Sequence, residues 1–333
     1  MSAAPEHSLS GTRVLVTGAG GFIGSHLVER LVELGATTRA FVHYRGDGSW
    51  GWLDQSPVKE DVEVIAGDLR DQDSVRRAVA GTEMVFHLGA LIAIPYSYEN
   101  PASFAQVNVV GTFHVLQAAR EVGVRRVVHT STSEVYGTAQ RVPMDEAHPL
   151  QAQSPYAASK IGADKFAEAF RLSYGLPVVT VRPFNTFGPR QSARAVIPTI
   201  ITQVLGGGVV RLGNLSPRRD FNYVRNTVEG FVRAAAAPDA VGRTLNLGSG
   251  REISIGELVE LIGRLAGRSV QVEVEEARTR PTGSEVERLL ADISAARDIL
   301  GWSPAVSLED GLRETIAWLQ DRLDAYRVGT YVR

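Results

Sequence analysis

At 333 residues, with 44% hydrophobic and 22% charged side chains, the chain carries enough apolar material for one large α/β domain or two packed units. Its net charge of −2, supplied on the positive side almost entirely by arginine with no long basic run, argues against a nucleic-acid or anionic-membrane partner. The absence of cysteine excludes disulfides, thiolate-held metals and a cysteine nucleophile. The opening MSAAPEHSLSGTR lacks an apolar core of signal-peptide length, and no run approaches the ~20 apolar residues of a membrane span, so a cytoplasmic protein is expected.

Short β-branched runs at Arg13–Thr17, Thr38–Tyr44, Val62–Ala66, Met84–Leu88, Arg126–Thr130 and Pro177–Arg182 predict strands, with helical periodicity between most of them. That alternation is the signature of an α/β fold with a doubly wound parallel sheet. The first strand runs directly into Gly18-Ala19-Gly20-Gly21-Phe22-Ile23-Gly24, which opens an amphipathic helix reaching about Leu34. Glycines there permit a tight turn and close backbone approach, while the helix terminus offers free N–H groups and the positive end of its dipole to a pyrophosphate. Gly18, Gly21, Phe22, Ile23 and Gly24 are therefore candidate dinucleotide contacts. Asp68-Leu69 after the third strand and Leu88 to Ala90 after the fourth are placed to line the adenosine side. The second strand ends without the acid that would hold the ribose hydroxyls of NAD, and Arg45 in the following loop suits the 2′-phosphate of NADP instead, so both cofactors stay open.

The fifth strand leads into Ser131-Thr132-Ser133-Glu134-Val135-Tyr136-Gly137, a hydroxyl-rich cluster at the carboxyl edge of the sheet. Ser154-Pro155 then reads as a helix start, with Ser at N-cap and Pro at N1, which sets Tyr156 and Lys160 i, i+4 on one helix face. A free tyrosine titrates near ~10, and holding it as phenolate near pH 7 takes roughly 4 kcal/mol, much of which a nearby ammonium supplies. Beyond Pro183 the rhythm loosens. Ala195–Leu205, Ile255–Leu265, Ser294–Ile299 and Leu308–Leu323 predict helices, and Val209–Leu212 and Val270–Glu275 isolated strands. We expect residues 1–183 with about 221–248 to form the cofactor domain, and about 184–220 with 249–333 a smaller lobe. His87 and His129 lack further ligands at metal spacing, so no metal is expected; Tyr136 and the four tryptophans read as packing residues.

The glycine turn, the hydroxyl cluster and the Tyr156/Lys160 pair together resemble the extended short-chain dehydrogenase/reductase superfamily, along nearly the whole chain. Further matching segments are VNVVGT around Asn108, RPFNTFGPR from Arg182, RRDFNYV around Arg219 and Arg280-Pro281. The resemblance implies a Rossmann-type fold, bound NAD or NADP contacted also by Asn108 and Pro183, and a nucleotide-sugar substrate. Asn185, Arg219 and Arg280 match positions that contact its diphosphate, and Ser97 and Tyr98 lie where the family approaches the sugar. It also implies a homodimer whose four-helix bundle is built from Pro101–Arg120 and Ser154–Tyr174.

Within that superfamily Thr132-Ser133-Glu134 is similar to the catalytic triplet of 4,6-dehydratases, in the variant with Ser where others carry Asp. The same triplet occurs in UDP-glucuronate decarboxylases. The longer stretches at Phe41–Asp54, Ala90–Tyr98, His129–Ala139 and Asn185–Thr202 resemble the NAD-dependent 4,6-dehydratases of the legionaminic-acid pathway, implying a nucleoside-diphosphate N-acetylglucosamine as substrate, with UDP and GDP both open. A UDP-hexuronate decarboxylase or 4-epimerase and a non-catalytic NAD(P)-sensing scaffold are the alternatives.

Overall fold

The computed structural model describes residues 9–326, so residues 1–8 and 327–333 of the expected domains lie outside it. In chain order the first part contains β1 (Arg13–Thr17), α1 (Phe22–Glu33), β2 (Thr37–His43), β3 (Glu63–Gly67), α2 (Gln72–Val79), β4 (Met84–His87), α3 (Ile94–Glu99), α4 (Pro101–Phe104), α5 (Gly111–Val122), β5 (Arg126–Thr130), α6 (Pro155–Tyr174) and β6 (Val178–Pro183). The second part adds β7 (Asn185–Phe187), α7 (Val196–Leu205), β8 (Val210–Leu212), β9 (Arg218–Tyr223), α8 (Val224–Ala236), β10 (Thr244–Leu247), β11 (Glu252–Ser254), α9 (Ile255–Leu265), β12 (Val272–Val274), α10 (Ser294–Leu300) and α11 (Leu308–Gln320).

Seven strands form one sheet in the order β10-β6-β5-β4-β1-β2-β3, every neighbouring pair parallel. Order reverses between β1 and β4, which opens a crevice at their carboxyl ends. A parallel sheet needs both faces covered, and alternation along β1 shows how: Val14 and Val16 join one core with α1 and α8, while Leu15 joins a second core with α2, α5 and α6. All three side chains are fully buried, each contributing about 1.5–3 kcal/mol. This is the Rossmann-type arrangement expected from the sequence.

The strand boundaries fall within one or two residues of expectation, but three features differ. Val210–Leu212 and Val272–Val274 are not isolated: they pair in parallel as a two-stranded sheet, Val210 opposite Val272. Segment 221–235 divides, α8 packing on α1, β5 and β6 while β9 pairs with β7 and β11 in a third sheet. The expected single helix 101–120 is interrupted by a wide π turn at Ala105–Val110. The next residue, Gly111, lies where a Cβ would meet the Leu69 Cβ at 2.9 Å, so helix and β3 loop approach closely.

The smaller sheets are tied down by buried polar groups. Asp220 is fully buried on β9 and accepts from the backbone of Ser249, Gly250 and Ala291, fastening two segments to one carboxylate. Trp302 is 1% exposed and donates through Nε1 to the Asn226 carbonyl, while the Asn226 side chain accepts from Ala305 and Val306. Tyr136 does more than pack: its hydroxyl donates to Asn246 on β10 and accepts from Arg182 on β6.

Candidate active site

The glycine turn after β1 fits a dinucleotide. Gly18 adopts φ +70°, and a Cβ on it would stand 2.8 Å from the Gly89 backbone; on Gly24 it would stand 2.2 Å from the Gly18 carbonyl. Side chains are thus excluded where backbone must approach a pyrophosphate. The helix beyond has no side-chain cap and no acid in its first turn, leaving the amides around Phe22, Ile23 and Gly24 without intrahelical acceptors. Loop 44–56 folds back on this turn, the Trp52 amide donating to the Gly20 carbonyl at 3.0 Å.

At the adenosine end His43, Tyr44, Gly67, Asp68, Arg70 and Ser74 line a cavity of about 480 Å³. The Asp68 carboxylate is already engaged by the Arg70 side chain and backbone, which holds its acidity stronger than usual. Leu69 is buried with its Cδ1 against Gly89, and Leu88 and Ala90 are half-buried beside the turn. Arg45 is exposed in loop 44–56. Asn108 sits in the π turn with its amide committed inside the protein, donating to the Leu91 carbonyl and Ser159 Oγ and accepting from the Leu91 amide. Its side chain therefore shapes the loop after β4 from behind. Pro183 closes β6 and is buried.

The reacting end is built from β5 and α6. Ser154 caps α6, its Oγ accepting from the Ala157 amide at 3.1 Å, with Pro155 at N1 as the sequence indicates. Tyr156 is 7% exposed and packs edge-on against Phe104. Burial pushes its phenol above the ordinary tyrosine value; the adjacent Thr132 hydroxyl pulls it down, while the Glu134 and Asp164 charges push it up. Lys160 Nζ donates to the Thr130 carbonyl at 2.6 Å, and burial lowers its pKa to about 8, opposed by Asp164. The expectation that Lys160 depresses Tyr156 is not met here: desolvation raises the phenol and the opposing pull comes from Thr132, an effect of burial that spacing along a helix does not report.

Thr132 starts a 3-10 turn, Ser133–Tyr136, and its Oγ1 accepts from the Glu134 amide at 3.2 Å. Ser133 is 2% exposed and Glu134 8%. Glu134 is directed toward loop 280–287, its Oε2 lying 3.9 Å from Arg280 Nη1. Arg280 Nη1 is also 3.9 Å from Glu285, which in turn pairs with Arg219 at 3.3 Å. Arg280 Nη1, beside Glu134, and Asn185 Oδ1, on β7, are both buried without a hydrogen-bond partner. Ser97 is fully buried and its hydroxyl donates to the Ile94 carbonyl. The Tyr98 hydroxyl meets Ser284 Oγ at 2.6 Å, and Gln153 bonds to the Glu285 carbonyl, so loop 280–287 is stitched over the cleft. Tyr98 is thereby held at the lobe boundary. Sequence reasoning missed Glu285, five residues after Arg280, and Asp164, one helical turn beyond Lys160. The spacing of the latter was readable from the helix.

His87 and His129 are internal. His87 lies between the Thr17 and Thr112 hydroxyls at 2.8 and 2.9 Å, and His129 pairs with Asp164 at 3.0 Å. Among the described residues no helix is long and apolar enough to cross a membrane.

A parallel sheet reversing at β1/β4, a glycine turn at the switch point and a Tyr/Lys pair beside Thr132 define the extended short-chain dehydrogenase/reductase class. A family model for GDP-mannose 4,6 dehydratase matches residues 15–315, and the chain belongs to that family. It is 36% identical over 315 residues to a dTDP-glucose 4,6-dehydratase of Streptomyces griseus, covering 92% of this chain and 94% of that protein. It is 34% identical over 316 residues to a UDP-glucose 4-epimerase of Mycolicibacterium smegmatis, covering 93% and 99%. Among solved structures, the dTDP-glucose 4,6-dehydratase of Streptomyces venezuelae with NAD bound superposes with a TM-score of 0.87 at 31% identity, covering 95% of this chain and 99% of that one.

Proposed function

We propose that the chain is an NAD-dependent nucleotide-sugar 4,6-dehydratase, a lyase acting on a UDP- or GDP-linked N-acetylhexosamine. The observation that carries this reading is Glu134: a buried carboxylate between the Tyr156 phenol and the arginines of the second lobe. An enzyme that only inverts carbon 4 needs Tyr156 but no such base; removal of the carbon 5 proton needs one.

When bound, NAD would take hydride from carbon 4 of the sugar and return it at carbon 6. Tyr156, with Lys160 and Thr132 beside it, removes the 4-hydroxyl proton. The resulting 4-ketone acidifies carbon 5, whose proton passes to Glu134 and from it to the departing 6-hydroxyl, which leaves as water; carbon 5 would regain a proton from solvent as carbon 6 is reduced. Ser133 stands where relatives with a carboxylate keep an acid, and a serine hydroxyl does not protonate a leaving group at neutral pH. Arg219, Arg280 and Asn185 hold the diphosphate, the two guanidinium forks exchanging part of their contact with Glu134 and Glu285 for phosphate oxygens. The smaller lobe that carries them comprises about 184–220 and 249–326 of the described chain. The protein acts as a homodimer through α5 and α6, which pack together and leave Val122, Phe166, Leu172 and Tyr174 exposed.

The test is incubation of the purified protein with UDP- and GDP-N-acetylglucosamine. A product lighter by one water supports the reading. Inversion at carbon 4 without mass change, the activity of the mycobacterial relative's name, overturns it, as does carbon dioxide release from UDP-glucuronate. Unaltered turnover in Tyr156→Phe and Glu134→Gln would point to a non-catalytic scaffold.

A further inference from the structure

The stripe that bears Tyr156 and Lys160 continues one turn further to Asp164, which is 6% exposed. Four residues of helix advance about 6 Å and two residues of strand about 6.6 Å, so a helix antiparallel to a strand can match it step for step. Here it does. Tyr156 faces Thr132, Lys160 donates to the Thr130 carbonyl, and Asp164 accepts from His129 and from Ser131 Oγ at 2.7 Å. Arg182 on β6 completes the set, its Nη2 donating to Asp164 Oδ2 at 3.1 Å. The Asp164 carboxylate is thus fixed by three donors from two strands, on the side of Lys160 away from the reacting phenol.

We infer that Asp164 is a positioning residue for the proton-handling pair: its buried carboxylate supplies the negative charge that holds Lys160 as an ammonium, and its bonds to β5 fix the register that points Tyr156 at the sugar. The ionisable groups around Lys160 are Tyr156 and Asp164 on its own helix, Glu134 beyond β5, His129 on β5, His87 on β4 and Arg182 on β6. Burial lowers the pKa of both histidines, so they contribute no positive charge near pH 7. Burial also works against the charged lysine, and Asp164 is the group that offsets it. A neutral amine at Lys160 would stabilise no phenolate; because the Asp164 charge by itself raises the Tyr156 phenol, this second carboxylate serves proton removal only through the ammonium it sustains. Asp164 and Arg182 also line a cavity of about 300 Å³ beside β10, remote from the glycine turn, so the pair is supported without occupying the substrate cleft.

The inference rests on Tyr156 and Lys160 handling the substrate proton, and Lys160→Met tests that separately through loss of turnover. The chain contains only three lysines, Lys59, Lys160 and Lys165, so labelling them with carbon-13 at Cε gives a spectrum in which Lys160 is assigned from its disappearance in Lys160→Met. In the cofactor-loaded protein, Asp164→Asn is expected to move the Lys160 titration, and the alkaline limb of kcat with it, downward by about half to one pH unit. KM should stay within about twofold, since no substrate contact is lost. Because Asp164→Asn leaves Arg182 buried and unpaired, the double variant Asp164→Asn/Arg182→Met, which removes both charges, carries the same measurement if the single variant does not fold. A Lys160 titration and an alkaline limb within about 0.2 pH unit of the wild type in the folded variant would overturn the inference. An inactive Lys160→Met alongside that result would leave the Tyr156/Lys160 reading standing.

Discussion

Replacing Glu134 by Gln removes a charge and a base while keeping shape, and two effects of different size follow. The first is electrostatic: Arg280 loses a partner 3.9 Å away, and because Arg280 is 27% exposed, such a pair is worth at most about 1 kcal/mol, a change of roughly fivefold in substrate affinity. The second is chemical: a positioned general base contributes roughly 100- to 10,000-fold to rate, or about 3–5 kcal/mol of barrier. Chemistry therefore dominates, and kcat should fall by at least about 100-fold while KM moves far less. The loss should also be selective. Oxidation at carbon 4 needs Tyr156, not Glu134, so a single turnover of Glu134→Gln should still generate reduced nicotinamide absorbance, which then persists because dehydration stalls. Mass spectrometry should find no sugar lighter by water, and in heavy water no deuterium at carbon 5. Formation of the 4-keto-6-deoxy product at the wild-type rate, or a stalled oxidation as severe as the loss of dehydration, would refute the assignment of Glu134 to carbon 5.

Gly24→Ala should strip the protein of cofactor, since the new methyl would stand 2.2 Å from the Gly18 carbonyl; nicotinamide released on denaturation, per protomer, measures it. Arg219→Ala and Arg280→Ala should both raise KM, each lost charged hydrogen bond costing about 1.5–3 kcal/mol, and both should disturb kcat because the Glu134 charge acts on each guanidinium, which steady-state kinetics checks. Arg45→Ala should weaken NADPH more than NADH in a binding titration if this exposed guanidinium, one residue beyond the cavity-lining Tyr44, meets a 2′-phosphate; equal weakening of both would refute that. Trp302→Ala should cost about 3–5 kcal/mol in urea unfolding, as it empties a 1%-exposed indole site and orphans the Asn226 carbonyl.

Much of the sheet was legible because parallel strands buried on both faces read as continuous apolar runs, as Val14-Leu15-Val16 shows. The helix carrying Tyr156 was equally plain, since Ser154-Pro155 writes its start and Gly175, at φ +67°, its end. What stayed hidden depends on contacts between distant segments. Val210–Leu212 and Val272–Val274 each look solitary because strands this short have no pattern that names a partner. The π turn at 105–110 is invisible in a helical periodicity; it follows from Gly111 meeting Leu69 and Asn108 reaching Leu91.

The candidate site divides the same way. A helix start announced a proton-handling tyrosine and a β-strand end a carboxylate, but their energetics belong to the surroundings. Burial raises the Tyr156 phenol and lowers the Lys160 ammonium, both against the chemistry required, so the pair is not self-sufficient. Two carboxylates act on it: Glu134 from the cleft and Asp164 from the core both disfavour the phenolate by their charge, and Asp164 also works against the loss of the Lys160 proton. Moving Tyr156 toward phenolate thus calls for Glu134 to be screened by Arg280 and Lys160 to be sustained by Asp164, which ties the chemistry of the phenol to the position of Arg280 beside Glu134.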